Sequence, residues 1–337
     1  KLRSYESSMG ITMKDIAEIV GVTESTVSRA INNKDGVGEE TREEILKVAA
    51  KHNFKPNRVA QNLAKQESNM IGLLLPDISS LFYSDAARGV QDYAAEEGYQ
   101  VIVCNTDEDR EEEATYMNWL QSNKVAGMIF LGGGLVNNQI IKLGLTDYPL
   151  VLANRLVEEV PLPSVIIDDA SGAYKATEHL LDKGYQRVAL LLGLESWQAQ
   201  NRLQGYKRAL KAKGMEYQQD LVIHKSWSRE GGYQGFLELM ELEEPPRAIF
   251  AAGNLIAAGV VEAIKLGGYF VPNDIAVVGF DDTIVTSVID PPLTTVKRPM
   301  YQLGVRSAKK LLALINEDEF GTGIEILESE LVIREST

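Results

Sequence analysis

Short or forked polar side chains cluster between residues 12 and 32. They are Thr12, Thr23, Glu24, Ser25, Thr26, Ser28, Arg29 and Asn32. Hydroxyl and amide groups donate and accept hydrogen bonds, and an arginine can pair with both acceptors of a guanine. Because the hydroxyl side chains are short, a helix that carries them can lie deep in the major groove of DNA. The chemistry that these residue types predict is recognition of base edges.

Two helices joined by a tight turn are predicted to hold these side chains. Thr12 is placed to cap a first helix over Met13–Val20, in which apolar residues recur at helical spacing. A glycine-valine pair breaks that helix, and Thr23 is placed to accept a hydrogen bond from the Thr26 amide, in a second helix that reaches Asn32. This arrangement is typical of a helix-turn-helix. An ordinary pair of amphipathic helices is the alternative, because the pattern also occurs by chance.

Two residues of the second helix predict particular base contacts. Arg29 is expected to contact guanine. Glu24 brings an acid towards the phosphates, which is unfavourable unless its carboxylate accepts a hydrogen bond from the amino group of cytosine. The second helix is therefore expected to read a distinctive half-site.

The next residues predict a third helix and a short hinge. Thr41 is placed to cap a helix over residues 41–54, whose apolar face closes a small three-helix core. A short helix follows, with Asn57 as its cap and Ala60 and Leu63 on one face. It is too short to be stable alone. It could fold on DNA with Leu63 wedged between base steps of the minor groove, and a plain linker is an equally compatible interpretation.

Apolar runs alternate with helical segments from residue 70 onward. The runs include MIGLLLP, YQVIVCN, VAGMIFLGG, PLVLAN, SVIID, RVALLLG, DLVIH, AIFAA and IAVVGF. Short apolar strands separated by helices are typical of buried parallel sheets, and these strands are too numerous for one compact sheet. The predicted fold class is α/β: a three-helix helix-turn-helix head and a hinge helix, then two doubly wound parallel-sheet lobes.

The same patterns give the expected domain limits. We expect a polar lead at residues 1–11, a DNA-binding domain at 12–56, a hinge helix and linker at 57–69, and a two-lobed domain for ligand binding and dimerisation at 70–337. The first lobe is expected to take about residues 70–168 and 282–298. The second is expected to take about residues 169–281 and 299–337.

Aromatic and polar side chains follow the predicted strands of both lobes. They are Phe82, Tyr83, Asp107 and Asn154 in the first lobe, and Trp197, Arg202, Trp227, Asn254 and Asp281 in the second. Ligands of such sheets bind beyond the carboxyl ends of the strands. Aromatic rings cover the apolar faces of a sugar, while carboxylate and guanidinium groups hold adjacent hydroxyls. We therefore expect a sugar or sugar derivative in a cleft between the lobes.

The net charge of −14 is unevenly divided. Residues 1–66 carry 11 Lys and Arg against 9 Asp and Glu, which leaves a charge of −16 on the remaining chain. Phosphate repels this acidic body, so DNA should be contacted through the head alone. Because one head is only weakly basic, we expect a homodimer that reads two half-sites of double-stranded DNA.

The sequence lacks the patterns of several other protein classes. It has no nucleophile elbow, no metal-ligand spacing among His52, His179 and His224, and no cofactor fingerprint, so neither an enzyme nor a metal or cofactor is predicted. No apolar run approaches the roughly 20 residues that span a bilayer. The first ten residues lack the apolar core of a secretory signal, so we expect a cytoplasmic protein without a membrane partner.

Several motifs in the same order resemble one protein family. TMKDIAEIVGVTESTVSRAINN, TREEI and PNRVAQNLA are similar to the DNA-binding head and hinge of the lactose/galactose-repressor (LacI/GalR) family of bacterial transcription factors. The similarity continues through IGLLLPDISSLFYSDAARGV, LLDKGYQRVALLLG, RLQGYKRAL and VPNDIAVVGFDDT to PPLTTVKRPMYQLG. The resemblance implies a dimeric repressor that reads an operator, inserts a hinge leucine, and carries a body like a periplasmic sugar-binding protein. Such a body is controlled allosterically by a small molecule between its lobes.

The resemblance also implies roles for particular residues. Arg202 matches the family's usual effector-binding arginine, and Asp281 its usual hydroxyl-holding aspartate. Trp227 lies where some members stack a sugar, and Phe82 with Tyr83 where others stack a base. Two departures, Asn254 and Asn154, replace frequent aspartates and leave open a different hydroxyl pattern, a carboxylate or a phosphate on the ligand.

One alternative keeps the fold and changes the partner. PDISSLFYSDAARGV and KRPMYQLG also look like the catabolite-control branch of the family, which uses a phosphoprotein corepressor. The sequence does not decide whether the effector releases or recruits the repressor.

Overall fold

A computed structural model of the chain describes residues 11–31, 35–52, 68–132, 138–157 and 160–337. The chain divides into two compact units, residues 1–67 and residues 68–337. The described part of the first unit is helical, and the second unit contains both helices and strands.

Three helices form the first unit. They are α1 (Met13–Val20), α2 (Glu24–Ile31) and α3 (Glu39–Lys51). Each helix contributes two buried residues to one core, which consists of Ile16, Ala17, Val27, Ala30, Ile45 and Ala49. The predicted helix-turn-helix with a closing third helix is therefore confirmed.

Local hydrogen bonds fix the limits of α1. Thr12 Oγ1 accepts from the Asp15 amide at 3.2 Å, and the Asp15 carboxylate accepts from the Thr12 amide at 2.7 Å. This reciprocal pair satisfies two donors that the first turn leaves open. Gly21 ends the helix at φ 74°, a left-handed conformation that glycine adopts without strain. The predicted limits of the first helix are confirmed.

The third helix differs from the prediction at both ends. α3 begins at Glu39, after Gly38, and ends at Lys51, so the predicted span of residues 41–54 with a Thr41 cap is wrong. Thr41 lies inside the first turn of the helix. Glu39 and Glu40 precede it there, and the helix dipole favours carboxylates at that end. The charge of these two residues was the signal that the prediction overlooked.

The second unit contains twelve described strands and nine described helices. The strands are β1 (Met70–Leu75), β2 (Gln100–Asn105), β3 (Gly127–Leu131), β4 (Leu150–Ala153), β5 (Ser164–Ile167), β6 (Val188–Leu192), β7 (Val222–His224), β8 (Ala248–Ala251), β9 (Ala276–Asp281), β10 (Thr294–Lys297), β11 (Ile324–Leu327) and β12 (Glu330–Val332). The helices are α4 (Leu81–Glu96), α5 (Arg110–Ser122), α6 (Asn138–Gly144), α7 (Asp169–Asp182), α8 (Trp197–Ala212), α9 (Arg229–Met240), α10 (Asn254–Leu266), α11 (Ile284–Val288) and α12 (Met300–Ile315).

These strands form two six-stranded sheets. The first has the order β11-β5-β4-β3-β1-β2, and all its pairs are parallel. The second has the order β12-β10-β9-β8-β6-β7, with β12 antiparallel to β10 and the other pairs parallel. Helices pack their apolar faces against both faces of each sheet. The predicted α/β class with two doubly wound lobes is confirmed.

Neighbouring residues of a strand serve opposite faces of the first sheet. Leu73 of β1 packs in the core shared with α4 and α12, while Leu74 packs in the core shared with α5. Helices α4 and α12 approach so closely that a Cβ on Gly304 would lie 2.0 Å from the Ala86 carbonyl oxygen. A glycine is required at this crossing because any larger residue would separate the helices.

The chain passes between the two sheets three times within residues 160–337. It leaves the first sheet after Ile167, returns to it after Lys297, and leaves it again after Leu327. The predicted assignment of residues 282–298 to the first lobe is therefore wrong, and that of 299–337 to the second lobe holds only for the end of the chain, where β12 joins the second sheet. Strand β10 extends the second sheet beside β9, whereas α12 and β11 belong to the first lobe.

Candidate functional site

Helix α2 presents a polar surface. Val27 and Ala30 are buried in the three-helix core, while Glu24, Ser25 and Arg29 are exposed. The remaining predicted contact residues within the helix, Thr26 and Ser28, are half-buried. The described side chains predicted to contact bases are therefore on, or at the edge of, the face that points away from the core.

Hydrogen bonds hold both ends of this helix. Thr23 Oγ1 accepts from the Thr26 amide at 3.2 Å and lies 2.8 Å from the hydroxyls of Ser25 and Thr26. At the other end, Arg42 of α3 donates from Nη1 to the Ala30 carbonyl at 3.0 Å. A rigid helix loses little conformational freedom when it binds, so this bracing favours a recognition role. The exposed Thr12 is engaged in the cap of α1.

Four predicted DNA contacts cannot be placed. Asn32, Asn57, Ala60 and Leu63 lie outside the described residues. The predicted hinge helix therefore stays a prediction.

A cavity of about 680 Å³ lies between the two lobes of the second unit. Eight of the nine predicted ligand contacts line it: Phe82, Tyr83, Asp107, Asn154, Arg202, Trp227, Asn254 and Asp281. Asn154 directly follows β4, Asp107 comes shortly after the end of β2, and Asp281 is the last residue of β9. The carboxyl ends of the strands thus bring these residues together, as the topology of doubly wound sheets requires.

Trp197 is the exception among the nine. It is the first residue of α8 and is half-buried, but Ser196 and Gln198 line the cavity on either side of it. Successive residues of a helix start point in different directions, about 100° apart. The prediction therefore identified the correct segment, but the Trp197 side chain does not line the cavity.

Left-handed backbone conformations concentrate at the cavity. Seven non-glycine residues among those described have positive φ, and Asp107, Glu108, Asn154 and Asp281 are four of them. Such conformations cost free energy and persist where the surroundings hold them, which is common at binding sites. Around Asp107, the Asn105 side-chain amide donates to its carboxylate at 2.6 Å, and the Asp107 amide donates to the Pro76 carbonyl at 2.8 Å.

A buried charge network forms the floor of the cavity. Arg202 donates from Nε and Nη2 to Asp169 Oδ2 at 3.0 and 2.9 Å, and from Nη1 to the Ala252 carbonyl at 2.6 Å. Arg298 Nε lies 2.8 Å from Asp169 Oδ1, an ion pair without good hydrogen-bond geometry. Its Nη1 lies 3.2 Å from Asp281 Oδ1, which is also 3.7 Å from Arg202. Two arginines and two aspartates therefore balance one another.

Three side chains link the lobes across the network. Arg298, in the segment between β10 and α12, donates from Nη2 to the Asn154 side-chain oxygen at 2.8 Å. Gln198 of α8 donates to the Asn154 carbonyl at 3.3 Å. Because a guanidinium can only donate, the contact with Arg298 fixes which way the Asn154 amide points. Asn154 Nδ2 is buried and has no hydrogen-bond partner among the described residues.

Aromatic rings cover the arginines. The ring centroids of Phe82 and Tyr83 lie 5.0 Å apart, edge to face, and the Arg298 guanidinium lies 4.4 Å from the Phe82 centroid. Arg202 lies 4.0 Å from the Phe280 centroid and 5.3 Å from that of Trp227. Burial raises the pKa of the Tyr83 phenol, and the nearby Glu108 carboxylate raises it further. Tyr83 is therefore a neutral hydrogen-bonding group at physiological pH.

Sequence reasoning missed several residues of the cavity. They are Asp77, Glu108, Glu195, Gln198 and Arg298, with Asp169 behind them. Asp169 follows Asp168 directly after β5, so the rule that identified the other strand-end residues could have identified it. Arg298 also directly follows a strand, β10, but this short strand was not among the predicted apolar runs, so the rule was not applied there.

The described ranges contain neither a membrane-spanning helix nor a metal-binding cluster. No helix there combines the length and apolar character needed to cross a membrane. No group of three or more His, Cys, Asp or Glu side chains in those ranges is arranged to hold a metal ion.

Family models match both units. A model of bacterial regulatory proteins of the lacI family matches residues 12–57, and a model of periplasmic binding proteins and the sugar-binding domain of the LacI family matches residues 68–331. The chain belongs to the LacI family. Its described helix-turn-helix lies within the first match, and the cavity residues lie within the second.

Two regulatory proteins and one crystal structure resemble the chain over nearly its whole length. The repressor CytR of Escherichia coli is 32% identical over 100% of this chain and 99% of its own. Catabolite control protein A of Priestia megaterium is 31% identical over 98% and 100%. A crystal structure of the Lac repressor dimer bound to operator and an anti-inducer superposes with a TM-score of 0.89 at 31% identity, over 98% and 99% of the two chains.

Proposed function

We propose that this chain is a transcriptional repressor that binds an operator as a homodimer and responds to a sugar, or a sugar derivative, bound between its lobes. The model that matches the head describes bacterial regulatory proteins, CytR is a transcriptional repressor, and the Lac repressor in the matched structure is an operator-bound dimer. Because its DNA is in the cytoplasm, the protein acts there.

The exposed face of α2 supports DNA recognition. In helix α2, the side chains of Glu24, Ser25 and Arg29 are exposed to solvent, while Val27 and Ala30 are buried. In a helix-turn-helix the second helix lies in the major groove with residues near its start at the base edges. Leu63 and its neighbours extend this interface into the minor groove in our proposal, with a kink at a flexible pyrimidine–purine step.

The cavity between the lobes is the main support for a small-molecule effector. Polar groups from both lobes converge on it, and Asn154 holds a buried donor that a ligand oxygen can satisfy. Aromatic rings beside carboxylate, amide and guanidinium groups suit a polyhydroxylated ring. A phosphoprotein corepressor, the alternative raised by the sequence, would bind an outer surface and would not need these groups.

The mechanism of control follows from thermodynamic linkage between effector binding and the arrangement of the two lobes. Arg298 and Gln198 join the two lobes through Asn154. A ligand that accepts from Asn154 Nδ2 and also contacts the second lobe binds the lobe arrangement that keeps these contacts better than another. A ligand shifts an equilibrium only by such a difference in affinity. A change in lobe arrangement alters the spacing of the two heads in the dimer, and hence operator affinity.

Operator selection tests this function. Full-length protein is used to select duplexes from a random pool, and affinity is then measured by fluorescence anisotropy with and without a panel of sugars. We expect sequence-specific binding that at least one sugar changes by about fivefold or more, the usual size of allosteric coupling. Binding without sequence preference would refute the DNA-reading role. Binding that changes only with a phosphoprotein, and survives Arg202→Ala, would support the alternative.

A further inference from the structure

Both arginines of the cavity are neutralised inside the protein. Arg202 donates hydrogen bonds from Nε and Nη2 to Asp169 and from Nη1 to the Ala252 carbonyl. Arg298 contacts Asp169, Asp281 and Asn154. Asp169 is the common partner, and its side chain is fully buried. The strongest anion-binding groups of the cavity are therefore already occupied by carboxylates.

The other ionisable groups that line the cavity are acidic or neutral at physiological pH. Its carboxylates besides Asp281 are Asp77, Asp107, Glu108 and Glu195, all exposed towards solvent. Among the described residues, none of these four forms an ion pair with Lys, Arg or His. Because the network of Arg202, Arg298, Asp169 and Asp281 has no net charge, a ligand in the cavity meets a negative field.

Two groups, the buried Asn154 and the partly exposed Asp281, nevertheless point to a hydrogen-bonding ligand. Asn154 Nδ2 is buried and unpaired, and Arg298 fixes the orientation of that amide. Asp281 uses Oδ1 for both arginines, and no described residue donates to its Oδ2. A hydroxyl group can accept from the first and donate to the second, which a phosphate or carboxylate cannot do.

We propose that Asp169 sets the charge selectivity of the cavity, so that the effector is a polyol or glycoside without a phosphate or carboxylate group. This inference rests on the proposed function, which places a small molecule in the cavity. By holding both guanidinium groups, Asp169 withholds them from an anionic ligand. The exposed carboxylates at the mouth then repel such a ligand, because like charges brought together disfavour binding.

Matched ligand pairs test the proposal. Isothermal titration calorimetry with the full chain compares neutral sugars with their 6-phosphates and uronic acids, at low and high salt. We expect each anionic form to bind at least about tenfold more weakly than its neutral parent. Because the four mouth carboxylates are exposed, high salt should narrow the difference.

Two variants identify the residue responsible. Asp169→Asn keeps the shape and frees charge on Arg202 and Arg298, so the affinity ratio of anionic to neutral sugar should rise by about tenfold. Asp168→Asn is the matched control: this residue caps α7 through the Ser171 amide, a role that asparagine fills equally well. The control should leave the ratio unchanged. Should Asp169→Asn fail to fold, the exposed pair Asp77→Asn and Glu195→Gln should still raise the ratio.

The outcomes separate this proposal from the one on which it rests. Anionic sugars that bind the native chain as tightly as their neutral parents would overturn the charge selectivity alone. An unchanged ratio in Asp169→Asn would overturn the role of that residue. If no sugar of either class binds the folded chain, the effector site itself is refuted, and the charge selectivity with it.

Discussion

Replacement of Arg298 by methionine removes one of the two hydrogen-bonded links between the lobes while keeping an unbranched chain as long as the arginine up to Nε. The native guanidinium makes three charged or polar contacts: Asp169 at 2.8 Å, Asp281 at 3.2 Å and Asn154 at 2.8 Å. Its side chain is 1% exposed, so water cannot replace these contacts. After Arg298→Met, the Asn154 oxygen loses its donor and Arg202 alone must balance two aspartates.

The expected loss of stability is large. Removing one partner of a buried ion pair typically costs about 3–5 kcal/mol, because the remaining charge stays buried. Arg202 still neutralises Asp169 through two hydrogen bonds, so we expect a loss near the lower limit, about 3 kcal/mol. An exposed pair gives the contrast. Arg88 and Asp92 form an i,i+4 pair at 2.8 Å with the arginine side chain 70% exposed, and Arg88→Met should leave the stability nearly unchanged because water screens the pair.

Urea unfolding measures both variants. The three tryptophans, at positions 119, 197 and 227, all lie in the second unit, so their fluorescence reports its unfolding. Arg298→Met should lower the midpoint substantially, whereas Arg88→Met should leave it nearly unchanged. If the two variants unfold within about 1 kcal/mol of each other, the buried network does not hold the lobes as argued.

Three further changes test other parts of the structure. Thr12→Ala removes the reciprocal cap of α1 and should cost about 1 kcal/mol, seen as faster hydrogen exchange of the α1 amides, while Thr12→Ser should restore protection. Gly304→Ala places a Cβ 2.0 Å from the Ala86 carbonyl and should cost about 1–3 kcal/mol in thermal unfolding; a native melting curve would contradict this packing. Burial lowers the pKa of His179, so its contribution to stability is lost as pH falls from 7 towards 5; His179→Gln should flatten that slope in urea unfolding.

The fold was predictable where one periodicity dominated. Apolar residues at helical spacing, with Thr12 before them and Gly21 after, defined α1 correctly. The uninterrupted apolar strands indicated buried parallel sheets, and two sheets followed from their number. These signals are local, because each depends on residues within one element.

The lobe limits were not predictable in the same way. Whether β10 joins the first or the second sheet depends on its partner β9 and on the packing of α12 against α4. The close approach at Gly304 is visible only when both helices are in place. The predicted lobe limits also contain three crossings, but they place the last two after residues 281 and 298, whereas the chain crosses after Lys297 and Leu327.

The cavity was largely predictable, and its charge balance was not. Strand ends identified Asn154 and Asp281, because parallel strands bring their carboxyl ends together. The sequence predicted a role for Arg202 in effector binding but not its partner Asp169. Its neutralisation by Asp169 joins residues 33 positions apart, and the bridge through Arg298 to Asn154 spans 144. Long-range pairings of this kind carry no local signature.

Operator binding by Arg29→Ala tests the central claim, that the exposed face of α2 reads base edges. Affinity is measured by fluorescence anisotropy for the selected operator and for duplexes with each single base pair changed. We predict a loss of about 1–3 kcal/mol on the selected operator, with relaxed preference at one base position in each half-site. An equal loss on every duplex, or no loss on any, would contradict the account.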